Sequence, residues 1–338
     1  MSRAGLLYLG ETQYGSTSAH RKDILSHHIS GHSRSLNFNE FLPATRLLRS
    51  LYWRLQWPIL LTRFNRELVE IATSRKWDVI WVDKGMFLGD RTFQILRRHA
   101  RRLIYFTPDC LFFANENMFV HRNLHRFDLV CTTKSFELEL FARYVEQKNI
   151  CYLTQGYTQL KSVNQFQERR RWRPVGFVGK FERHRGEVVQ ALLDEGLEVH
   201  VAGAGWGRFR SACDNDNLVY LGEALWGNEY QQFYEDTLIG LGLLSKEFPE
   251  LHTTRTFEIP YFGALLATER NQETEAFFDD DSALMYKGVN QLARGIQEFL
   301  ADREKLRAMA MQGNQRVITQ RLSWADQIET VLSALDRL

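Results

Sequence analysis

Short apolar runs punctuate the first half of the chain: Leu6-Leu7-Tyr8-Leu9, Val79-Ile80-Trp81-Val82, Leu103-Ile104-Tyr105-Phe106, Leu129-Val130-Cys131-Thr132 and Cys151-Tyr152-Leu153. Each is followed by a polar or glycine turn and then by a helical pattern. Continuous rather than alternating apolar runs suit strands covered on both faces, as in a parallel sheet with crossover helices. The succession starts again with Val175–Val178, Glu198–Ala202, Leu218–Leu221, Ile239–Leu243 and Ala264–Ala267, with helical patterns over Glu187–Glu195 and Glu229–Thr237. Between the two series, Gln165–Pro174 is charged and ends in proline, which places a linker there. The pattern predicts an α/β chain of two doubly wound, Rossmann-like lobes. Such lobes in tandem create a central cleft, because open α/β sheets bind ligands outside the carboxyl ends of their strands.

One segment interrupts the first lobe. Leu42–Ala72 contains Leu47-Leu-Arg-Ser-Leu-Tyr-Trp-Arg-Leu-Gln-Trp-Pro-Ile-Leu-Leu61, where arginines alternate with aromatic and aliphatic residues. Two readings stand open: an interfacial helix touching anionic lipid or a glycolipid acceptor, or the commoner pattern of surface helices packed on the lobe with their arginines outward.

At 338 residues, 44% of them hydrophobic and eight of them tryptophan, the chain exceeds what one core usually supports. The 43 Lys+Arg nearly cancel the 41 Asp+Glu, for a formal net charge of +2, so the overall balance offers no case for nucleic acid. The basic clusters Arg97–Arg102 and Arg169–Arg171 lie in a helix before a strand and in the linker, without stacking aromatics, and read as solvated charge. Cys110, Cys131, Cys151 and Cys213 are widely spaced and form no C-x-x-C pair, so neither a zinc site nor a disulfide framework is expected and a reducing cytosol fits best. Met1–Gly10 is too short for a secretory leader and reads as a first strand. No later run approaches ~18 apolar residues. A cytoplasmic protein, with peripheral contact at the inner face of a membrane left open, is the expectation.

The most informative window is Glu250-Leu-His-Thr-Thr-Arg-Thr-Phe-Glu-Ile-Pro-Tyr-Phe-Gly263. Its carboxylates Glu250 and Glu258 stand eight positions apart, the first in a loop and the second in the opening turns of a helix beginning near Thr254. Thr253 or Thr254 would cap that helix, with Pro260 near its start. The N–H groups and positive dipole end of a helix N-terminus suit a diphosphate, and Arg255 adds a bidentate donor. Nearby carboxylates accept hydrogen bonds from ribose and sugar hydroxyls. Alone, Arg255 and Glu258 would be an ordinary exposed pair.

In context the window resembles the GT-B glycosyltransferases, and among them the spore-maturation (CgeB-type) branch, whose second lobe reads T-R-x-F-E-x-P-x-x-G followed by T-E-R. This chain has Thr254-Arg-Thr-Phe-Glu-Ile-Pro-Tyr-Phe-Gly263 and Thr268-Glu-Arg270, and keeps the E-x7-E spacing of retaining GT-B enzymes. The resemblance implies that Glu258 holds a nucleotide ribose while Glu250 faces the donor sugar. Gly179-Lys180-Phe-Glu-Arg-His-Arg185-Gly186 is similar to the G-R-x4-K-G loop whose basic residues clamp the donor diphosphate, with Arg183 as a nearby substitute. Val201-Ala-Gly203-Ala-Gly205-Trp206-Gly207 matches a G-x-x-W pattern of the same lobe but lacks the G-x-G-x-x-G spacing of a dinucleotide fingerprint. Trp206 would line the cleft or pack under the loop.

The limits implied are an acceptor-side lobe over 1–165, a donor-binding lobe over 175–322, and a last helix over 323–338 that crosses back to the first lobe. Ile328, Val331, Leu332 and Leu335 have helical spacing there. The implied activity is transfer of a sugar, as by a hexosyltransferase, from a nucleotide sugar to an unidentified glycan, lipid or protein acceptor. A UDP-sugar is the first choice of donor, with no cofactor and no metal. Lys180, Arg185 and Arg255 would stabilise the departing diphosphate. If the enzyme inverts, Asp109 or His20 at the strand ends of the first lobe would act as base. A non-catalytic nucleotide-sugar scaffold and a membrane-docked assembly partner are the alternatives from other classes.

Overall fold

The computed structural model describes residues 5–29, 31–113, 116–159 and 172–338. It divides into two compact units, Met1–Thr154 with Trp324–Leu338, and Gln155–Ser323. Most of the charged stretch Gln165–Pro174, with Arg169–Arg171, lies outside the described residues. Arg173 and Pro174 do not belong to a linker, because they open a strand. Proline is tolerated there because pairing to one of the two neighbouring strands begins only at Val175.

The first unit is one parallel sheet of β1 (Gly5–Leu9), β2 (His32–Leu36), β3 (Trp77–Asp83), β4 (Ala100–Thr107), β5 (Leu129–Thr132) and β6 (Ile150–Tyr152), ordered β2-β1-β3-β4-β5-β6. Apolar side chains alternate between its two faces. Leu7, Leu9, Ile80 and Val82 enter one core, and Leu6, Tyr8, Val79 and Trp81 the other. The second core is closed by helix Trp324–Asp336, which buries Trp324, Ile328, Val331 and Leu335 against this unit. At about 1.5–3 kcal/mol for each fully buried large apolar side chain, that stripe is ample to fix the helix.

The second unit repeats the plan with β7 (Arg173–Val178), β8 (Val199–Ala202), β9 (Leu218–Tyr220), β10 (Thr237–Gly242), β11 (Leu265–Glu269) and β12 (Leu284–Tyr286), ordered β12-β11-β10-β7-β8-β9. Both sheets are parallel throughout their paired strands. Their orders reverse direction between β1 and β3 in the first unit and between β7 and β10 in the second. Such switch points are where loops part and leave a crevice at the carboxyl ends of the strands.

The segment 42–72 holds helix Arg46–Leu55, a 3-10 turn Pro58–Leu61 and most of helix Thr62–Thr73. The second helix packs inward through Phe64, Leu68 and Ala72. The first buries none of its residues and turns leucines as well as arginines outward. Packing on the lobe with arginines outward therefore describes the second helix, whereas the first also turns Leu47, Leu48 and Leu51 to solvent. No described helix is long and apolar enough to cross a membrane.

Candidate functional site

At the switch point of the second unit, β7 ends at Val178 and the chain turns at Gly179. The Gly179 N–H donates to Ala202 O at 2.9 Å, and its carbonyl accepts the Trp206 indole N–H at 2.8 Å. Trp206 is wholly buried, packing edge-on against Phe177 and Phe181. It supports the loop from below and lines no opening. Gly203, at φ 137°, passes so close that a Cβ there would lie 2.0 Å from Gly179 O. Glycine alone fits such an approach in that conformation.

Helix Arg183–Asp194 then begins with Arg185 folded inward. Its guanidinium donates to Lys180 O at 2.9 Å and pairs with Glu182 at 2.9 Å. The Lys180 side chain is exposed; only its carbonyl is engaged by Arg185. Arg255 reaches the same place from helix Thr254–Tyr261 and donates to Leu243 O just past β10 at 3.2 Å. Both guanidinium carbons stand near the Phe177 ring, at 5.7 Å for Arg185 and 5.3 Å for Arg255. A Cβ on Gly179 would lie 2.8 Å from Phe177 and 3.3 Å from Arg255 Nη1.

Two like charges thus share a half-buried corner. Burial first, then the charge of Arg255, lowers Arg185 to about 10, against the opposing pull of Glu182 and Glu250. Among the described residues, the Nε atoms of both arginines are buried without a hydrogen-bond partner. Leaving such a donor unmet costs roughly 1–3 kcal/mol, so the corner carries two arginines whose hydrogen-bonding capacity is not fully used.

Helix Thr254–Tyr261 opens with the Thr253 N–H donating to Thr256 Oγ1 at 3.0 Å. It closes in a Schellman arrangement, with Ala264 N–H to Ile259 O, Gly263 N–H to Pro260 O, and Gly263 at φ 80°. Pro260 therefore sits in the last turn and not near the start. The helix is only eight residues long, so a missing N–H there interrupts little. Glu258 lies buried on its inner face and accepts the Tyr230 hydroxyl at 2.6 Å. Burial pushes Glu258 up to about 7, with Tyr230 and the charge of Arg255 pulling the other way.

Glu250 is half-buried in the loop before the helix and accepts the Ser245 N–H at 2.9 Å, while the Ser245 hydroxyl donates to Glu182 at 2.9 Å. A chain Glu250–Ser245–Glu182–Arg185 thus joins the loop carboxylate to the arginine corner. In that loop His252 is buried between the Gln155 N–H, at 3.0 Å from Nε2, and Glu273, at 2.5 Å from Nδ1. Among the sequence candidates, Gly179, Arg185, Gly203, Trp206, Thr254, Arg255, Glu250 and Glu258 meet around the ends of β7, β8 and β10.

Tyr230, Ser245, Glu182 and His252 escaped sequence reasoning. Tyr230 and Tyr234 stand four apart on helix Asn228–Glu235, and the Tyr234 hydroxyl accepts the Val178 N–H at 3.2 Å; that spacing was the available signal. Two Asp-x-Asp spacings, Asp214–Asp216 and Asp279–Asp281, occupy turns entering β9 and β12, at the opposite end of the sheet.

Asp109 and His20 belong to the first unit. Asp109 follows β4 and is ion-paired with Lys84 at 2.5 Å. Burial would raise its carboxyl, but Lys84, Lys134 and Arg21 hold it below the usual value. His20 lies on helix Thr17–His28, and burial lowers its imidazole pKa. At this unit's switch point a further cluster is fully buried. Arg21 pairs with Asp83 at 2.7 Å, Tyr8 and Ser18 donate to the same carboxylate oxygen at 2.7 and 3.1 Å, and the guanidinium lies over Phe106 and Trp324 at 4.4 and 4.7 Å.

Comparison with known proteins extends this picture. Residues 183–333 match the model of a family described as glycosyl transferase-like. No curated protein matches the chain significantly. Among solved structures, the chain is similar to Anabaena HepE in complex with UDP-glucose, with a TM-score of 0.65 at 14% identity over 99% of this chain and 100% of that one. It is similar to sucrose-phosphate synthase from Thermosynechococcus elongatus, again with a TM-score of 0.65 at 14% identity, over 99% of this chain and 100% of that one. The α,α-trehalose 6-phosphate synthase from Burkholderia multivorans gives 0.65 at 11% identity over 100% and 99%. The chain has the GT-B fold: two Rossmann-like units, each a six-stranded parallel sheet flanked by helices.

Proposed function

We propose that the chain is a glycosyltransferase that binds a nucleoside-diphosphate sugar, a UDP-sugar first, in its second unit and transfers the sugar to an acceptor hydroxyl. The observation that carries this reading is the arginine corner: Arg185 and Arg255 converge on one ring, each with a buried, unpartnered Nε, beside the buried acceptor Glu258. A diphosphate is the anion that this corner suits, and a ribose with paired hydroxyl donors is the neighbour that Glu258 suits. The match to a glycosyl transferase-like family over 183–333 and the fold shared with a UDP-glucose-bound protein support the same donor.

In the proposed reaction the bond between the sugar's anomeric carbon and the diphosphate oxygen breaks. A new bond forms to the acceptor oxygen, and the hydroxyl proton passes to the released diphosphate. Charge growing on the leaving group is met by Arg185, Arg255 and the amino end of helix Thr254–Tyr261, the largest expected contribution to the rate. The protein's own cations supply this stabilisation, so we propose a metal-independent transfer. Glu250, oriented by Ser245, faces the sugar, and transfer proceeds with retention. Asp109, held ionised by Lys84, is a weak proton acceptor, which argues against inversion through that residue.

The test is release of free nucleoside diphosphate from UDP-, GDP-, ADP- and TDP-sugars, with water or a mixed sugar and lipid acceptor panel. Turnover of one donor, suppressed in Arg185→Ala and Arg255→Ala, supports an enzyme. Tight donor binding without turnover across the panel would favour the scaffold reading instead.

A further inference from the structure

Helix Arg46–Leu55 is attached to the first unit at its edge. Trp53 meets Phe38 edge-on at 5.6 Å and Phe87 at 6.4 Å, and Tyr52 is partly buried against the core. At about 100° per residue, Leu47, Leu48 and Leu51 form a stripe about 100° wide. These leucines are 82%, 48% and 47% exposed. Beyond the helix, Trp57 and Ile59 extend the apolar surface, at 51% and 74% exposed.

A surface helix ordinarily turns such a stripe inward; this one turns it to solvent. The charge within this stretch has one sign, with Glu40 and Glu67 just outside its two ends. From Phe41 to Arg66 there is no Asp or Glu, while Arg46, Arg49, Arg54, Arg63 and Arg66 are all exposed.

We propose that this face docks on an anionic lipid bilayer. Leu47, Leu48, Leu51, Trp57 and Ile59 enter the boundary between headgroups and acyl chains, and the arginines meet lipid phosphates. Charge selects the occupant. A two-fold contact with a second copy would set the same arginine-bearing, acid-free face against itself, whereas an anionic surface neutralises it. The inference does not depend on the donor site, which belongs to the other unit.

The test is flotation of the full chain with phosphatidylcholine vesicles, with and without phosphatidylglycerol, alongside sedimentation equilibrium without lipid. Partition onto the anionic vesicles is expected to exceed that onto neutral ones by on the order of tenfold or more at low salt, and to shrink as salt is added. Leu47→Glu/Leu51→Glu and Arg46→Glu/Arg49→Glu should each abolish the preference while melting like the parent, because the helix buries none of these residues. Tryptophan emission should shift to the blue on anionic vesicles, less so in Trp57→Ala. Equal partition on both vesicles, no partition on either, or a lipid-free dimer that Leu47→Glu/Leu51→Glu dissociates would each overturn the proposal.

Discussion

Replacing Glu258 by glutamine should stabilise the protein at alkaline pH while weakening the donor site. The residue is 8% exposed and its carboxyl is raised from 4.5 to about 7, chiefly by burial. Between those values the folded chain binds this proton more tightly than the unfolded chain does. Stability therefore declines as pH rises through the window and levels off above it. The rise from 4.5 to about 7, at 1.36 kcal/mol per pH unit, sets a ceiling of about 3 kcal/mol, and about 2.5 kcal/mol of it falls between pH 5 and pH 8. In a unit of this size that corresponds to about 5–10 °C in melting temperature. Glutamine keeps an acceptor for Tyr230 and has no charge to desolvate. Glu258→Gln should thus match the parent near pH 5 and melt well above it at pH 8. The assay is thermal denaturation of both proteins across that range, with the difference between the curves removing every other titrating group. UDP-glucose affinity at pH 8 should fall by about 1.5–3 kcal/mol, the worth of hydrogen bonds to a charged acceptor. Parallel melting curves at all pH values would show that the carboxylate is already solvated in the fold, and would refute the reasoning.

Three further outcomes follow from the packing. Tyr230→Phe removes the hydroxyl that favours the ionised Glu258, so the pH-dependent decline in stability should extend to higher pH and UDP-glucose binding should weaken, as thermal melts and calorimetry would register. Gly203→Ala sets a methyl 2.0 Å from the Gly179 carbonyl at φ 137°. It should cost about 3 kcal/mol or more in denaturant unfolding, with a change in the Trp206 near-ultraviolet signal. Asp83→Ala leaves the Arg21 guanidinium buried without its counter-charge and should destabilise by about 3–5 kcal/mol, whereas exposed Arg183→Ala should change unfolding by less than about 0.5 kcal/mol.

Where strands lie in the middle of a sheet, burial on both faces writes itself into the chain, and runs such as Val79–Val82 and Ile239–Leu243 mark β3 and β10 directly. The outermost strands are another matter. β2, His-Ser-Arg-Ser-Leu, is exposed at all but its last residue and has no apolar run to read. β12 has three residues and rests on a single neighbour. The site divides in the same manner. Arg255, Glu258 and Glu250 share one contiguous window, and Gly179 to Arg185 another, so local pattern reaches them. Tyr230, Ser245 and Glu182 come to the same corner from three different elements, and only the folded chain brings them there. Sequence spacing also set Pro260 at the wrong end of its helix, because the helix proved to be only two turns long.

The central claim is that Arg185, Arg255 and Glu258 form the seat of a nucleoside-diphosphate sugar. Isothermal calorimetry of UDP and UDP-glucose with the parent chain, Arg255→Ala and the exposed control Arg183→Ala tests it most directly. Saturable binding to the parent and to Arg183→Ala is expected, with at least a tenfold loss in Arg255→Ala, the effect of removing a charged hydrogen-bond donor. Equal affinity in all three proteins would contradict it and place the nucleotide elsewhere on the chain.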